Sequence, residues 1–209
     1  MTLENYLLFV GASLVLILIP GPDMLYMLGR CVAQGRRAGL VAALGINAGA
    51  YVHLIAAVTG LSAILLTSSI AFTTIKWIGA AYLVYLGINV LRDRGPGLEI
   101  STEGLNGRSL KAIFLQGFLS DALNPKVAVF FLAFLPQFVN MQTGHAVVQL
   151  LELGLTVNML AILVNCLIVA ISSHVSQRLR KNARVSRWLH KGMGLMFIGL
   201  GARLVTEKV

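Results

Sequence analysis

LVLILIPGPDMLYML, residues 14–28, sets Pro20, Gly21, Pro22 and Asp23 in the middle of an otherwise apolar run. A soluble core helix does not tolerate Pro-Gly-Pro, and a passive membrane anchor needs no acid at its centre. A proline gives no backbone N–H and clashes with the carbonyl four residues back. Pro20 therefore frees the carbonyl of Leu16, and Pro22 that of Leu18. In lipid an unsatisfied carbonyl costs several kcal/mol, so such a break persists where protein or a wet cavity covers it. Two readings follow. One is a kink capped by Asp23; the other is a site of bare carbonyls and a carboxylate facing a cationic group.

The rest of the chain shows which solvent surrounds that break. Its 209 residues are 57% hydrophobic and 12% charged, with mean hydropathy +0.81. Soluble domains carry about 25% charged residues, so this chain cannot cover its surface with polar groups. The composition predicts an all-α polytopic membrane protein, with one domain over residues 1–209. A spanning helix needs about 20 apolar residues. Six segments meet that length, at about 5–28, 39–66, 71–91, 111–137, 145–172 and 190–206. The first is expected to be retained as a span, because Met1-Thr2-Leu3-Glu4 lacks the positive start of a signal peptide.

The net charge of +9 follows the loops between those spans. The first loop has Arg30, Arg36 and Arg37; the third has Arg92, Arg94, Arg108 and Lys111. The fifth has Arg178, Arg180, Lys181, Arg184, Arg187 and Lys191. The second offers Lys76, and the fourth has no basic residue. The odd-numbered loops are therefore expected to be cytoplasmic, with both termini outside. The charge reads as topology and contact with anionic lipid headgroups, not as a nucleic-acid surface.

Residues 93–110 are rich in Gly, Ser and charge and read as a cytoplasmic linker between two repeats, about 1–92 and 111–209. Each repeat has three spans. An odd number turns the second upside down relative to the first, the inverted-repeat plan of many secondary transporters. Pro20 and Pro125 lie at similar depths in the first span of each half, and Lys-x-x-Gly recurs at Lys76 and Lys191.

The second break, DALNPKVAVFFLAFLPQF, frees the carbonyl of Asp121 at Pro125 and sets Lys126 deep in a span. A mid-membrane Lys costs about 2.5–3.5 kcal/mol and should face a partner or water. Asp23 is the partner that the pseudo-symmetry offers, and snorkelling from a helix end is the alternative. Asp121 should face inward for the same reason. In the second span Gly45, Gly49 and His53 share a face; Gly-x-x-x-Gly lets another helix approach closely. His53 is then either a packed, hydrogen-bonded imidazole or a proton carrier, and Asn47 an interhelical hydrogen bond. Asn158, Asn165 and Ser172 form a seven-residue polar stripe, read as glue between helices before pore lining. Trp77, Tyr82 and Tyr85 read as interface and packing residues, and Cys31 and Cys166 as small apolar fillers, not a disulfide.

The sequence has no H-E-x-x-H, G-x-S-x-G or Walker A motif and no metal-spaced Cys/His cluster. It is therefore not expected to be an enzyme, and no cofactor or metal is expected.

PGPD in the first span, KWIGAAYLVYLG in the third and NPKVAVFFLAFLPQF in the fourth resemble the lysine-exporter superfamily, closest to its LysE/RhtB branch. The resemblance runs on to the C-terminal GLMFIGLGARL. It implies export of an amino acid or derivative across the bacterial inner membrane, driven by proton motive force or membrane potential, often by a homodimer. Its motifs fall on Pro20, Gly21, Pro22 and Asp23, and on Asn124, Pro125 and Lys126. Many members have Asn where this chain has Asp23; the carboxylate adds a proton or cation site.

Together these features suggest a zwitterion site. Lys126 and half-helix N-termini would receive the carboxylate; Asp23 and the freed carbonyls would receive the ammonium. Asp23, His53 or Asp121 would carry a coupled proton, and rocking of the halves would expose the site alternately. The alternatives are efflux of a metal cation or other small solute, a thiol-redox membrane enzyme, and a channel or structural subunit. Few acids and thiols in the spans weaken the first of these, and the placing of the cysteines weakens the second.

Overall fold

The computed structural model describes residues 3–18, 20–61, 107–140 and 145–172, and further positions 74, 77, 78, 80, 81, 84, 85, 88, 91, 92, 195, 198, 199 and 202. Every regular element among them is helical. Residues 93–106 of the expected linker, most of the third and sixth spans and the basic run at 178–191 lie outside the described residues. So do the expectations that fall on them: the repeat boundaries, the fifth loop's charge and Tyr82.

Two proline breaks set the architecture. Helix α1 (Leu3–Leu18) stops before Pro20, and α2 (Pro22–Gln34) begins with Pro22 in its first turn. Proline suits that position because its missing N–H would have no helical partner there. The α1/α2 pair is bent by 53°. The second break repeats the device. Helix α4 (Leu110–Ala122) ends at Leu123, and α5 (Pro125–Val129) starts on Pro125. A π-turn over Phe130–Phe134 and a 3-10 turn over Leu135–Phe138 prolong it. This pair is bent by 47°. The structural counterpart of Pro125 is therefore Pro22, two residues beyond the proline matched by depth alone. Asp23 and Lys126 each follow such a proline.

Helix α3 (Arg36–Ala56), continued by a π-turn to Leu61, and α6 (Ala146–Ala170) are unbroken and long enough to cross a bilayer. Counting each bent pair as one span gives up to four among the described residues. The junction of α2 and α3 is a single residue, Gly35, at φ +82°, the left-handed region open to glycine. Arg30 is thus no loop residue. Helix α2 carries on past it, because nothing before Gly35 breaks the helix, and buries it completely.

Helix α3 is the central strut, and its glycines make the closest approach. A methyl group on Gly49 would lie 2.5 Å from the Phe118 carbonyl oxygen of α4. One on Gly117 of α4 would lie 2.7 Å from that of Ala42. The close packing expected of Gly45-x-x-x-Gly49 is thus present, with α4 as the neighbour. Asn47 behaves otherwise: its Oδ1 is buried with no hydrogen-bond partner among the described residues.

One buried cluster is aromatic, with Phe9 of α1 set against Phe130, Phe134 and Phe138 at centroid distances of 5.1–6.5 Å. The other, smaller in side chain, joins Met27, Ala42, Ile46, Ile113 and Val169. The outer surface is apolar as well. Along α6, Leu151, Leu155, Met159, Leu163 and Leu167, spaced every four residues, form an exposed stripe, while Asn158 and Asn165 are buried. Polar inside and apolar outside is the pattern of a helix whose outer solvent is lipid. Trp77 and Tyr85 are exposed, and both cysteines are free.

Candidate functional site

The two breaks are stitched to each other. Asp23, in the first turn of α2, is 9% exposed. Its Oδ1 accepts a hydrogen bond from the Ser120 hydroxyl at 2.6 Å, and its Oδ2 one from the Asn124 amide. Asn124 uses its other end as a helix cap, accepting from the Lys126 backbone N–H at 2.9 Å. One asparagine thus closes the start of α5 and holds the acid of α2.

Two of the carbonyls freed by the prolines, those of Leu16 and Asp121, are covered. Lys126 Nζ reaches back to the Leu16 carbonyl at 3.4 Å. It passes Gly21 so closely that a methyl group there would lie 3.3 Å from Nζ. At the other break the Asp121 carbonyl accepts from the Asn124 backbone N–H and from His53 Nε2, both at 2.8 Å. A carbonyl only accepts, so this bond fixes the proton on Nε2. The His53 ring also stacks on Phe131, with centroids 6.2 Å apart. The packed, hydrogen-bonded imidazole is therefore what the geometry presents.

Beside this knot opens a cavity of about 580 Å³, its mouth included. Its polar lining is Asp23, Asp121, Lys126, Asn158 and Asn165; its apolar lining includes Ile17, Met24, Ile46, Phe130, Phe131 and Val157. The walls come from both broken pairs, from α3 and from α6. The two carboxyl groups lie close enough to act on each other and on Lys126. Asp121 is buried, and its Oδ2 has no hydrogen-bond partner among the described residues.

The candidate residues divide by role. Asp23 and Lys126 line the cavity, as does Asp121. Pro20, Gly21, Pro22, Asn124 and Pro125 stand behind the wall, where they shape the backbone. His53 touches the wall through Phe131. Asn158 and Asn165, ranked first as glue, are in the lining, and the seven-residue spacing was the signal for them. Ser120 carried no sequence signal, since a lone serine in an apolar helix commonly bonds its own backbone.

Away from the cavity, buried Arg30 donates to Tyr26 Oη at 3.3 Å, Gln34 Oε1 at 2.9 Å and Gln116 Oε1 at 2.8 Å. Tyr26 Oη donates to the Ile113 carbonyl at 2.8 Å. This cluster ties α2 to α4.

Comparison with known proteins now adds to the geometry. The model of the LysE type translocator family matches residues 14–208. The chain belongs to the LysE type translocator family. It is 33% identical over its whole length to the whole of an "uncharacterized membrane protein" of Vibrio cholerae serotype O1. It is 29% identical to the "uncharacterized membrane protein YrhP" of Bacillus subtilis, over 96% of this chain and 98% of that one. To the "leucine efflux protein" of Salmonella typhimurium it is 25% identical, over 97% of this chain and 95% of that one. No solved structure matches. Family and apolar helices together make this LysE-type chain a membrane protein.

Proposed function

We propose that this protein is a secondary exporter of an amino acid with an aliphatic side chain, working across the bacterial inner membrane. The observation that carries the reading is the cavity. Its lining holds two carboxyls, an ammonium and two amides, and the rest of the wall is aliphatic and aromatic. A zwitterion with an apolar side chain matches that division. Family membership and the leucine efflux relatives support the same substrate class.

The proposal includes six spans in two inverted three-helix repeats, odd loops cytoplasmic and termini outside. The matched breaks at Pro22 and Pro125 and the loop charges support it. Rocking of one half against the other would expose the cavity to each side in turn. A neutral zwitterion gains nothing from the membrane potential, whereas each positive charge that moves inward in exchange for it gains about 2.3 kcal/mol per 100 mV. Uphill export is therefore read as exchange for an inward-moving proton. Asp23 and Asp121, side by side in the wall, are the proposed carriers. His53 supports them through the Asp121 carbonyl. A homodimer in the lipid bilayer is the proposed assembly.

Metal-cation efflux fits the cavity less well. A cation there would meet the Lys126 ammonium, and no group of three or more His, Cys, Asp or Glu that could hold a metal ion occurs among the described residues.

The test loads cells lacking their own exporters with dipeptides and follows amino acids released to the medium, with and without this protein. Faster release of aliphatic amino acids, abolished by a protonophore, is the expected result. No difference for any amino acid, with the protein shown in the membrane, overturns the reading.

A further inference from the structure

Asn158 is 1% exposed, and neither Oδ1 nor Nδ2 has a hydrogen-bond partner among the described residues. A buried amide with both ends unsatisfied is costly, and native interiors rarely keep one. It lies in the cavity wall, between apolar Val157 and Ala161, and shares that wall with Asp121, whose Oδ2 is also unpartnered. Asp23, by contrast, has both oxygens engaged, by Ser120 and Asn124. The buried polar atoms of this wall that have no partner among the described residues therefore lie on Asn158 and Asp121, whereas each Asp23 oxygen already accepts one hydrogen bond.

We infer that Asn158 is the substrate-recognition residue of this cavity, its amide gripping both charged groups of the amino acid at once. Nδ2 donates to the α-carboxylate. Oδ1 accepts from the α-ammonium, which Asp121 Oδ2 shares. The donor and acceptor of one amide sit on one carbon, as the carboxylate and ammonium of an amino acid do, so one side chain satisfies both. Lys126 adds charge on the carboxylate side, and the aliphatic side chain turns toward Ile46, Phe130 and Val157. Binding thus supplies partners to the polar atoms of Asn158 and Asp121 that have none among the described residues. A ligand without the ammonium leaves Oδ1 bare, and one whose carboxylate is esterified offers Nδ2 only an uncharged oxygen crowded by a methyl group; those losses are the basis of selection.

This assignment rests on the exporter reading, and the experiment separates the two. The full-length protein is reconstituted in liposomes, and counterflow of labelled leucine is measured, with leucine methyl ester as competitor. Wild type is compared with Asn158→Leu and Asn158→Ala, and each is melted in detergent with and without leucine. Wild type should carry leucine and reject the ester. Both variants should raise KM for leucine about tenfold or more, from loss of hydrogen bonds to charged groups. They should also narrow the leucine-to-ester preference and lose the leucine-induced rise in melting temperature. Without ligand, Asn158→Leu should melt no lower than wild type, because it removes an unsatisfied amide from an apolar wall. Leucine flux with unchanged KM and ester preference in both variants overturns the assignment and leaves the exporter reading standing. So does a lower melting temperature in both with the preference intact, which marks the amide as packing. A wild type that carries no amino acid overturns the exporter reading, and the assignment with it.

Discussion

Lys126 shows how one side chain serves both structure and site. Its stem runs along Gly21, and its ammonium reaches the carbonyl that Pro20 strips of a helical partner. Lys126→Met keeps the length of the side chain but leaves the Leu16 carbonyl uncovered and removes positive charge from the cavity. Export should fall at least tenfold in the dipeptide-release assay, with membrane insertion unchanged, since a lost hydrogen bond to a charged group is worth about 1.5–3 kcal/mol. Full activity would remove Lys126 from the site. Ser120→Ala is a milder probe. It takes one donor from Asp23 and leaves the Asn124 bond, so proton-dependent flux should fall by less than in Lys126→Met.

At the scale of elements, the contact of α3 with α4 depends on absent side chains. Gly49→Ala would press a methyl group to 2.5 Å from a backbone oxygen that cannot move alone. The overpacking cost is about 1–3 kcal/mol, read as a lower melting temperature in detergent. Gly11→Ala is the control. It sits in α1 with nothing within 4 Å of the added methyl group, so replacing a helical glycine there should stabilise by about 0.5–1 kcal/mol. Equal gains at both positions would mean that helix propensity, not close approach, governs these glycines. The breaks themselves are element-scale devices. Each sets a proline at the first helical position and a charged residue next, so the charge enters the cavity from a rigid half-helix.

For the whole molecule, the proposed three spans per half would put both termini on one side. A phosphatase active only in the periplasm, fused after residue 209, should be active; the same fusion within residues 93–106 should be inactive. The opposite pattern would invert the orientation drawn from the basic loops. The many exposed apolar residues, Leu3, Ile55 and Leu123 among them, belong to this scale as well. They give the molecule a surface that lipid covers and water does not.

The sequence by itself determined that the chain is helical and lives in a membrane, because composition and span length alone decide whether lipid is a possible solvent. It also located both helix breaks, since proline's missing N–H acts through the covalent chain. It anticipated the glycine face of α3, because a helix repeats every 3.6 residues whatever it packs against. Only the tertiary structure decided which side chains meet across the breaks. Asp23 pairs with Ser120 and Asn124, about a hundred residues away, and no local spacing encodes that. Arg30 was read as a loop charge because basic residues mark loops in general; burial among Tyr26, Gln34 and Gln116 depends on α4 lying alongside. Asn158 was legible as one of a polar stripe, but glue and lining have the same period. The two differ only in whether a neighbouring helix supplies the hydrogen bonds, and here none among the described residues does.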